Sequence, residues 1–257
     1  MLVVVSPAKK LDFSSYAVKD LPGTKPAMLK SAEELVEVMQ QYDLKKLGKL
    51  MNISDKLAQE NVTRFKAFST PFKRTNSKQA VLAFNGDTYL GFEAASMSAE
   101  EHEYAQSHLR ILSGLYGVLR PLDLIQPYRL EMGLKLKTAR GNSVYDFWGE
   151  QITSRLNKEL RASGSDYLLN CASNEYMGAI QEEKLHAAVI TPVFKQVKNG
   201  EPRMLGMMAK RARGALARFV VKNQISTPEE LKSFDVDGYR FQKKLSDTHT
   251  LEFHRKA

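Results

Sequence analysis

The alternation of apolar and polar positions divides the chain into short strand-like runs and longer helix-like segments. Leu2–Val5 is uniformly apolar and rich in β-branched valine, which is typical of a strand buried on both faces. Ala27–Gln41 repeats its apolar residues at helical spacing, as does Val144–Ala162, so a long helix is predicted over each. Ser98-Ala99-Glu100-Glu101 has the spacing of a capping box, which predicts a helix from there to about Ser113.

Further strands and a hairpin are predicted along the chain. Ala80–Phe84, Tyr167–Cys171 and Ala187–Lys195 are apolar runs of strand length. Asn199-Gly200 is a hairpin turn signal that joins the last of these to Arg203–Met208. Because helices and strands alternate and a hairpin is present, we predict an α+β (mixed α/β) fold built on a mixed sheet.

The composition fits one domain of this kind. A chain of 257 residues with 43% hydrophobic and 26% charged residues is an ordinary globular protein and can bury a substantial core. We therefore expect a single domain over residues 1–257, with a helical section at about residues 27–68. The first apolar run is too short for a signal peptide, and no run approaches the roughly 18 residues of a membrane span. We expect a cytoplasmic protein with no membrane partner.

The single cysteine, Cys171, excludes an internal disulfide. It stands at the end of a predicted strand, so we expect a buried structural thiol, with a redox or nucleophilic role as the alternative. The formal net charge of +9 favours polyanionic partners, since excess Lys and Arg attract phosphate through counterion release. The net charge alone does not identify nucleic acid as the partner. Whether the basic residues are clustered matters more.

Leu44–Asn61 matches the apolar frame of a helix-hairpin-helix, whose pattern is Leu-x-x-Leu-Pro-Gly-Ile-Gly-x-x-x-Ala. The four apolar positions are filled by Leu47, Leu50, Ile53 and Ala58. Asn52 and Ser54 replace the two glycines, and Met51 replaces the proline. Asn52 can adopt the left-handed conformation, and Ser54 is a good N-cap. Such a hairpin exposes backbone N–H groups that suit a phosphate oxygen.

Lysines surround this predicted hairpin and make it a candidate DNA contact, but the hairpin pattern taken alone does not carry a DNA-binding claim. The predicted contacts here are Lys46, Lys49, Asn52, Ser54, Lys56 and Arg64. Asp55 stands beside the phosphate position and would repel an anion. The alternative is an ordinary pair of helices with a solvated lysine-rich face.

Lys210–Phe219 is a second, denser basic cluster on a predicted helix. Small residues between its charges would let a backbone approach closely, and arginine binds phosphate with two hydrogen bonds. The predicted contacts in this cluster and in the loop after the first strand are Lys210, Arg211, Arg213, Arg218, Lys9 and Lys10. Solvation combined with ion pairing is the alternative. With the hairpin, these residues would line one basic cleft.

Recognisable enzyme motifs are absent from the sequence. It has no Walker loop, dinucleotide fingerprint, Gly-x-Ser-x-Gly elbow or His-Glu-x-x-His motif, and its five histidines form no i,i+4 pair. We therefore favour a non-enzymatic protein, expect no cofactor and identify no metal site. An enzyme acting on nucleic acid or a phosphorylated metabolite is the alternative. Its candidate residues are Lys9, Arg120 and Arg213 for phosphate, and Asp123, Glu131 or Asp146 for proton transfer. Direct iron sequestration is a third hypothesis.

Longer segments resemble the peroxide stress resistance YaaA family in their order and spacing. They are Ser6–Lys9, Phe84–Tyr89, Leu112–Gly133, Tyr145–Gly149, Asn170–Tyr176 and Ala212–Gly214. The resemblance runs from the first strand to about Arg218, and Leu112–Gly133 is its most specific part. Cys171 departs from the leucine expected at its position.

This resemblance implies a bacterial cytosolic protein linked to hydrogen peroxide stress, in a family associated with limiting free intracellular iron and the DNA damage it feeds. It also implies an unusual α/β fold with a positively charged cleft, a helix-hairpin-helix and binding of duplex DNA. We accordingly expect double-stranded DNA as the partner, held mainly by its phosphate backbone, and predict no protein partner.

Overall fold

The computed structural model describes residues 1–14 and 21–257. Its helices are α1 (Leu29–Gln40), α2 (Leu44–Met51), α3 (Asp55–Ala67), α4 (Ala80–Ala83), α5 (Asp87–Phe92), α6 (Ala99–His108), α7 (Val144–Trp148), α8 (Gln151–Ser163), α9 (Asn174–Met177), α10 (Gly206–Asn223) and α11 (Pro228–Leu231). Its strands are β1 (Leu2–Val5), β2 (Lys78–Gln79), β3 (Leu109–Ser113), β4 (Gly117–Leu119), β5 (Leu124–Ile125), β6 (Tyr167–Cys171), β7 (Ala188–Lys198), β8 (Glu201–Arg203), β9 (Arg240–Phe241) and β10 (Thr250–Lys256).

One mixed sheet organises the fold, in the order β4-β3-β1-β6-β7-β10-β9, with β8 paired to β7. Strands β3, β1, β6, β7 and β10 run parallel to one another, while β4, β8 and β9 are antiparallel to their neighbours. The predicted mixed α/β fold is confirmed. Strands β2 and β5 form a separate antiparallel pair.

The strand order itself marks a place for a ligand. Counted along the chain, the five parallel strands stand in the order 2-1-3-4-5, with β1 and β6 at the point where the order reverses. In open α/β sheets, ligands bind in the crevice outside the carboxyl ends of the strands at such a point. The loops that follow β1 and β6 are therefore the first place to look for a site.

Strand β1 is buried along its whole length, as its uniformly apolar sequence predicts. It pairs with β3 on one side and β6 on the other, so its backbone groups lie inside the sheet. Helices α8 and α10 both pack against it. A strand covered in this way needs apolar side chains on both of its faces.

One predicted element is wrong in type, and another changes its type before the predicted end. Ala80–Phe84 was expected to be a strand, but its first four residues form the buried helix α4. Burial on all sides removes the periodicity that would tell a short helix from a strand. The helix that begins with the Ser98 capping box ends at His108, and Leu109–Ser113 continues as β3 beside β1.

A glycine interrupts one further predicted helix, and the predicted hairpin turn is present. The predicted long helix over Val144–Ala162 is two helices, α7 and α8, separated at Gly149, whose φ of 47° lies in the left-handed region. The predicted hairpin at Asn199-Gly200 is confirmed, with φ values of 54° and 81°. Its second strand is shorter than predicted, because helix α10 already begins at Gly206.

Candidate functional site

A cavity of about 300 Å³ opens beside the carboxyl ends of β1 and β6, where the strand order predicts a site. Its walls come from the loop after β1, the start of α5, the segment after β5, the residues after β6, and α10. Its charged lining residues are Lys9, Lys10, Asp87, Arg129, Glu131, Glu175, Lys210 and Arg213. Five cations and three carboxylates thus line one space, and the surplus is positive.

Two serines join the ends of the central strands at this cavity. The Ser6 hydroxyl oxygen accepts a hydrogen bond from the Ser173 backbone N–H at 2.8 Å and lies 3.3 Å from the Ser173 hydroxyl oxygen, to which it donates. Tyr89, on α5, donates its hydroxyl to the Ser6 carbonyl at 3.1 Å. Burial raises the pKa of the Tyr89 phenol well above its ordinary value, so the hydroxyl remains a donor. The loop after β1 is therefore tied to both β6 and α5.

Glu131 is paired with two of the cations. Its Oε1 lies 3.2 Å from Nη2 of Arg129 and also forms an ion pair with Nζ of Lys9. The Lys9 side chain is 66% exposed, whereas those of Arg129 and Glu131 are 17% and 13% exposed. Within residues 1–14 and 21–257, the remaining cavity cations have no ion pair; they are Lys10, Lys210 and Arg213.

Helix α10 reaches the cavity because it packs against α5 through two glycines. A β-carbon on Gly214 would lie 1.8 Å from the carbonyl oxygen of Thr88, and one on Gly91 would lie 2.1 Å from that of Arg211. Real β-carbon contacts are essentially never shorter than 3.0 Å. The sequence suggested that small residues in α10 allow a backbone to approach, and the backbone that does so at Gly214 belongs to α5.

Cys171 is also among the residues that line the cavity, but its thiol is buried and unreactive. The residue is 1% exposed, as the sequence predicted for a structural cysteine. Burial raises the pKa of the Cys171 thiol to about 12, against a smaller lowering by the charge of Arg213. Because the thiolate is the reactive form, this side chain is a poor nucleophile and a poor metal ligand.

The predicted helical hairpin at Leu44–Asn61 exists as a pair of helices, α2 and α3. Asn52 ends α2 with φ 50° and ψ 57°. This is the left-handed conformation expected at the position where the helix-hairpin-helix pattern has its first glycine. Ser54 is the extended N-cap residue of α3, but its side chain makes no capping hydrogen bond. Leu47 and Ala58 are fully buried. Leu50 and Ile53, the other two apolar positions of the pattern, are half-buried and pack against the core.

The hairpin carries exposed lysines on its surface. They are Lys45, Lys46, Lys49 and Lys56. None of them forms an ion pair in the part of the chain that the structure describes. Asp43 accepts a hydrogen bond from the Lys46 backbone N–H at 2.8 Å, and this caps α2 without engaging the lysine side chain. These ammonium groups are therefore free to meet an external anion.

The hairpin takes no part in lining the cavity. No residue of α2 or α3 is among those that line the cavity. The predicted residues that the cavity does bring together are Lys9, Lys10, Lys210 and Arg213. This cavity therefore does not form the single basic cleft that was expected from the sequence. The hairpin and the cavity each carry lysines that have no ion pair among the described residues.

Besides Lys9, three of the predicted DNA contacts have partners within the protein. Arg218 donates to the carbonyl oxygens of Phe92 and Glu93 at 3.0 and 2.8 Å, which satisfies the carboxyl end of α5. Arg64 forms an i,i+4 ion pair with a glutamate on α3. Arg211 lies 3.9 Å from an aspartate carboxylate and lines a different cavity. Arg218 therefore joins α10 to the end of α5, whereas Arg64 and Arg211 make surface ion pairs that a phosphate would have to displace.

The three candidate proton-transfer residues lie in different parts of the structure. Glu131 lines the cavity, together with Lys9 and Arg213. Asp123 is completely buried and accepts a hydrogen bond from Nη2 of Arg120 at 2.9 Å, so both belong to a structural turn. The Asp146 carboxylate accepts the Asn142 backbone N–H at 2.9 Å, and this hydrogen bond lowers the pKa of Asp146.

Several cavity residues were missed in the sequence because nothing local singles them out. They are Asp87, Arg129, Glu175 and Tyr176. All lie inside segments quoted for the family resemblance, Phe84–Tyr89, Leu112–Gly133 and Asn170–Tyr176. Those segments are far apart in the chain, and the strand order brings them to one cavity.

Comparison with known proteins agrees with the resemblance. A family model described as peroxide stress protein YaaA matches residues 1–245. The chain belongs to the peroxide stress protein YaaA family. A UPF0246 protein of Saccharophagus degradans is 49% identical over 256 residues, which cover 100% of both chains. A UPF0246 protein of Janthinobacterium sp. (strain Marseille) is 51% identical over 257 residues, covering 100% of this chain and 99% of that protein. The likeness to YaaA family members therefore extends along the whole chain.

The described residues include neither a membrane-spanning helix nor a cluster of metal-binding side chains. None of the helices in residues 1–14 and 21–257 combines the length and the apolar character needed to cross a bilayer. The same residues contain no group of three or more His, Cys, Asp or Glu side chains placed to hold a metal ion. The cytoplasmic location stays a prediction.

Proposed function

We propose that this peroxide stress protein binds the phosphate backbone of double-stranded DNA through the hairpin α2–α3, and that this binding serves to limit iron-dependent DNA damage. The observation that carries the proposal is a set of exposed lysines around a left-handed turn that form no ion pair within residues 1–14 and 21–257. Lysines without internal partners can neutralise phosphates without first breaking an ion pair. Each neutralised phosphate releases counterions, which favours binding to any DNA sequence.

Besides the charge of the lysines, the turn supplies backbone hydrogen-bond donors. The first backbone N–H groups of a helix have no partner within the helix, and the Ser54 side chain does not cap α3. A phosphate oxygen can accept from these groups, between Lys49 and Lys56. Asp55 competes for the same donors, so the lysines supply most of the attraction. Such contacts position the DNA and do not distinguish its bases.

A second set of backbone contacts is proposed at the rim of the cavity. Lys10 and Lys210 are exposed there, and neither has an ion pair among the described residues. Lys9 and Arg213 stand beside them. Two basic surfaces on one molecule would let it contact DNA at more than one place and raise its overall affinity.

Fluorescence anisotropy with a labelled DNA duplex tests the hairpin directly. Lys46→Ala/Lys49→Ala/Lys56→Ala should bind at least about tenfold more weakly than the unmodified chain, since it loses up to three phosphate contacts. Lys158→Ala/Lys243→Ala/Lys244→Ala removes the same charge from exposed positions elsewhere and should bind nearly as well as the unmodified chain. Equal affinities for the two triple variants would place the site away from the hairpin.

The position of Glu131 favours one alternative, an enzyme acting on nucleic acid or a phosphorylated metabolite. Glu131 is a carboxylate in a cavity at the strand-order reversal, beside cations that suit phosphate. Incubation with DNA and with sugar phosphates, followed by product analysis, tests this alternative. Turnover that is lost in Glu131→Gln would support it, and the absence of any product would remove it.

A further inference from the structure

The cavity beside the carboxyl ends of β1 and β6 carries positive charge that its own carboxylates do not neutralise. Glu131 is already engaged by Lys9 and Arg129. Arg213 makes no hydrogen bond or ion pair with any residue in the ranges that the structure describes, and the Lys210 ammonium group likewise has no ion pair there. An anion that enters the cavity would meet two cations without competing partners.

The guanidinium group of Arg213 is partly withdrawn from water. Its Nε atom is out of reach of solvent and has no acceptor among the described atoms, and the same is true of Nε of Arg129 in the same cavity. Opposite charges attract more strongly where water is excluded. Arginine also presents two parallel N–H donors to the oxygens of one phosphate. Arg213 is therefore the cavity side chain best suited to hold a phosphate group.

The rest of the lining suits a small organic body attached to that phosphate. A volume of about 300 Å³ lies at the lower end of the range for small-molecule sites and is too small for a double helix. Pro7, Leu130 and Tyr176 provide apolar and aromatic surface. Asp87 and Glu175 are carboxylates, which repel a bare anion but accept hydrogen bonds from hydroxyl groups. A sugar fits this combination.

We propose that the cavity binds a sugar or nucleoside monophosphate, with Arg213 and Lys210 holding the phosphate and Asp87 and Glu175 accepting hydrogen bonds from sugar hydroxyls. This site goes beyond the proposed binding of the DNA backbone by the hairpin, none of whose residues lines the cavity, and it shares Lys210 and Arg213 with the backbone contacts proposed at the rim. The phosphate monoester can belong to a free metabolite or to the 5′ end of a DNA strand, since both present the same group.

Isothermal titration calorimetry of the full chain tests this site with ribose 5-phosphate, adenosine 5′-monophosphate and adenosine. At least one of the two monophosphates should bind, and adenosine should bind at least about tenfold more weakly than its monophosphate. Arg213→Gln should weaken monophosphate binding by about tenfold or more, and Lys210→Gln by several-fold. Lys222→Gln removes one exposed charge from the same helix and should leave binding unchanged.

Three outcomes would overturn the proposal: no binding of either monophosphate, adenosine binding as tightly as its monophosphate, or a folded Arg213→Gln that binds like the unmodified chain. If Arg213→Gln does not fold, the exposed Lys210→Gln decides in its place, and unchanged binding by that variant overturns the proposal. Retention of monophosphate binding by Lys46→Ala/Lys49→Ala/Lys56→Ala would separate this site from the hairpin.

The source of the phosphate is settled by competition with two short duplexes, one with 5′-phosphate and one with 5′-hydroxyl ends. Displacement of a bound monophosphate by the phosphorylated duplex alone would support the proposal and assign the group to DNA ends. Binding of the monophosphate that neither duplex disturbs would support it and assign the group to a free metabolite. Equal displacement by both duplexes would contradict recognition of a DNA end and would assign the group to a free metabolite, which DNA backbone bound at the rim displaces.

Discussion

The α-carbon of Gly214 in α10 lies against the carbonyl oxygen of Thr88 in α5, so closely that a β-carbon on Gly214 would come within 1.8 Å of that oxygen. The contact sets how near the two helices approach. Thr88 and its neighbour Asp87 line the cavity from α5, and Arg213 lines it from α10. The shape of the cavity therefore depends on a glycine that does not itself line it.

Gly214→Ala is expected to destabilise the protein, because the added methyl group meets backbone and the helices must move apart. Overpacking of this kind costs about 1–3 kcal/mol or more. Urea denaturation measures the loss. Gly206→Ala, at the start of the same helix with nothing within 4 Å of the added carbon, is the matched control and should be neutral or slightly stabilising. Equal stability of Gly214→Ala and the unmodified chain would contradict the close contact.

The Cys171 thiol should react slowly with thiol reagents while the protein is folded. With burial raising the pKa of Cys171 to about 12, only about 10⁻⁴ of the thiol is ionised at a pH near 8, and access is also blocked. Labelling should be about a thousandfold slower in buffer than in strong denaturant. Rapid labelling of the folded chain would show that the thiol is accessible and would reopen a direct role in sensing peroxide.

A buried ion pair between Arg110 and Glu159 should make stability depend on pH. Their side chains are 3% and 9% exposed, and Nη2 lies 2.5 Å from Oε2. Burial raises the pKa of Glu159, but the charges and hydrogen bonds of Arg110 and Arg155 together lower it by more, so the pKa falls below its usual value. A depressed pKa means that the stabilisation is complete above the unfolded-state pKa of about 4.3 and is lost as pH falls through the folded-state value.

Glu159→Gln should therefore destabilise the protein by about 3–5 kcal/mol at neutral pH, because it leaves a buried guanidinium without its counterion. The difference from the unmodified chain should shrink as pH is lowered below about 4. Urea denaturation at several pH values measures it, with the exposed Glu182→Gln as a control of equal charge change. A difference that stays constant with pH would contradict the coupling.

The local features of the fold were readable in the sequence, and the features set by distant contacts were not. Leu2–Val5 and Asn199-Gly200 were predicted correctly because burial and turn geometry act on a few adjacent residues. The change from helix to strand at Leu109 was missed, since β3 exists through its pairing with β1. Ala80–Phe84 was misassigned because a fully buried run has no polar face to reveal its period.

The same distinction applies to the candidate sites. The left-handed Asn52 was predictable, because it depends on a local pattern. The cavity was not, since it arises where the strand order brings together the ends of β1 and β6. The basic segment of α10 illustrates both cases: Arg213 lines the cavity, whereas Arg218 caps α5 through backbone carbonyls that lie far away in the sequence.

The affinity for duplex DNA across a salt series tests the central claim most directly. With about four to six phosphates neutralised, the plot of log binding constant against log salt concentration should fall with a slope of roughly −4 to −5. Duplexes of unrelated sequence should give similar affinities, and Lys46→Ala/Lys49→Ala/Lys56→Ala should reduce the steepness by about 2 to 3. An affinity that does not change with salt concentration, or the absence of any binding at low salt concentration, would contradict backbone binding by the hairpin.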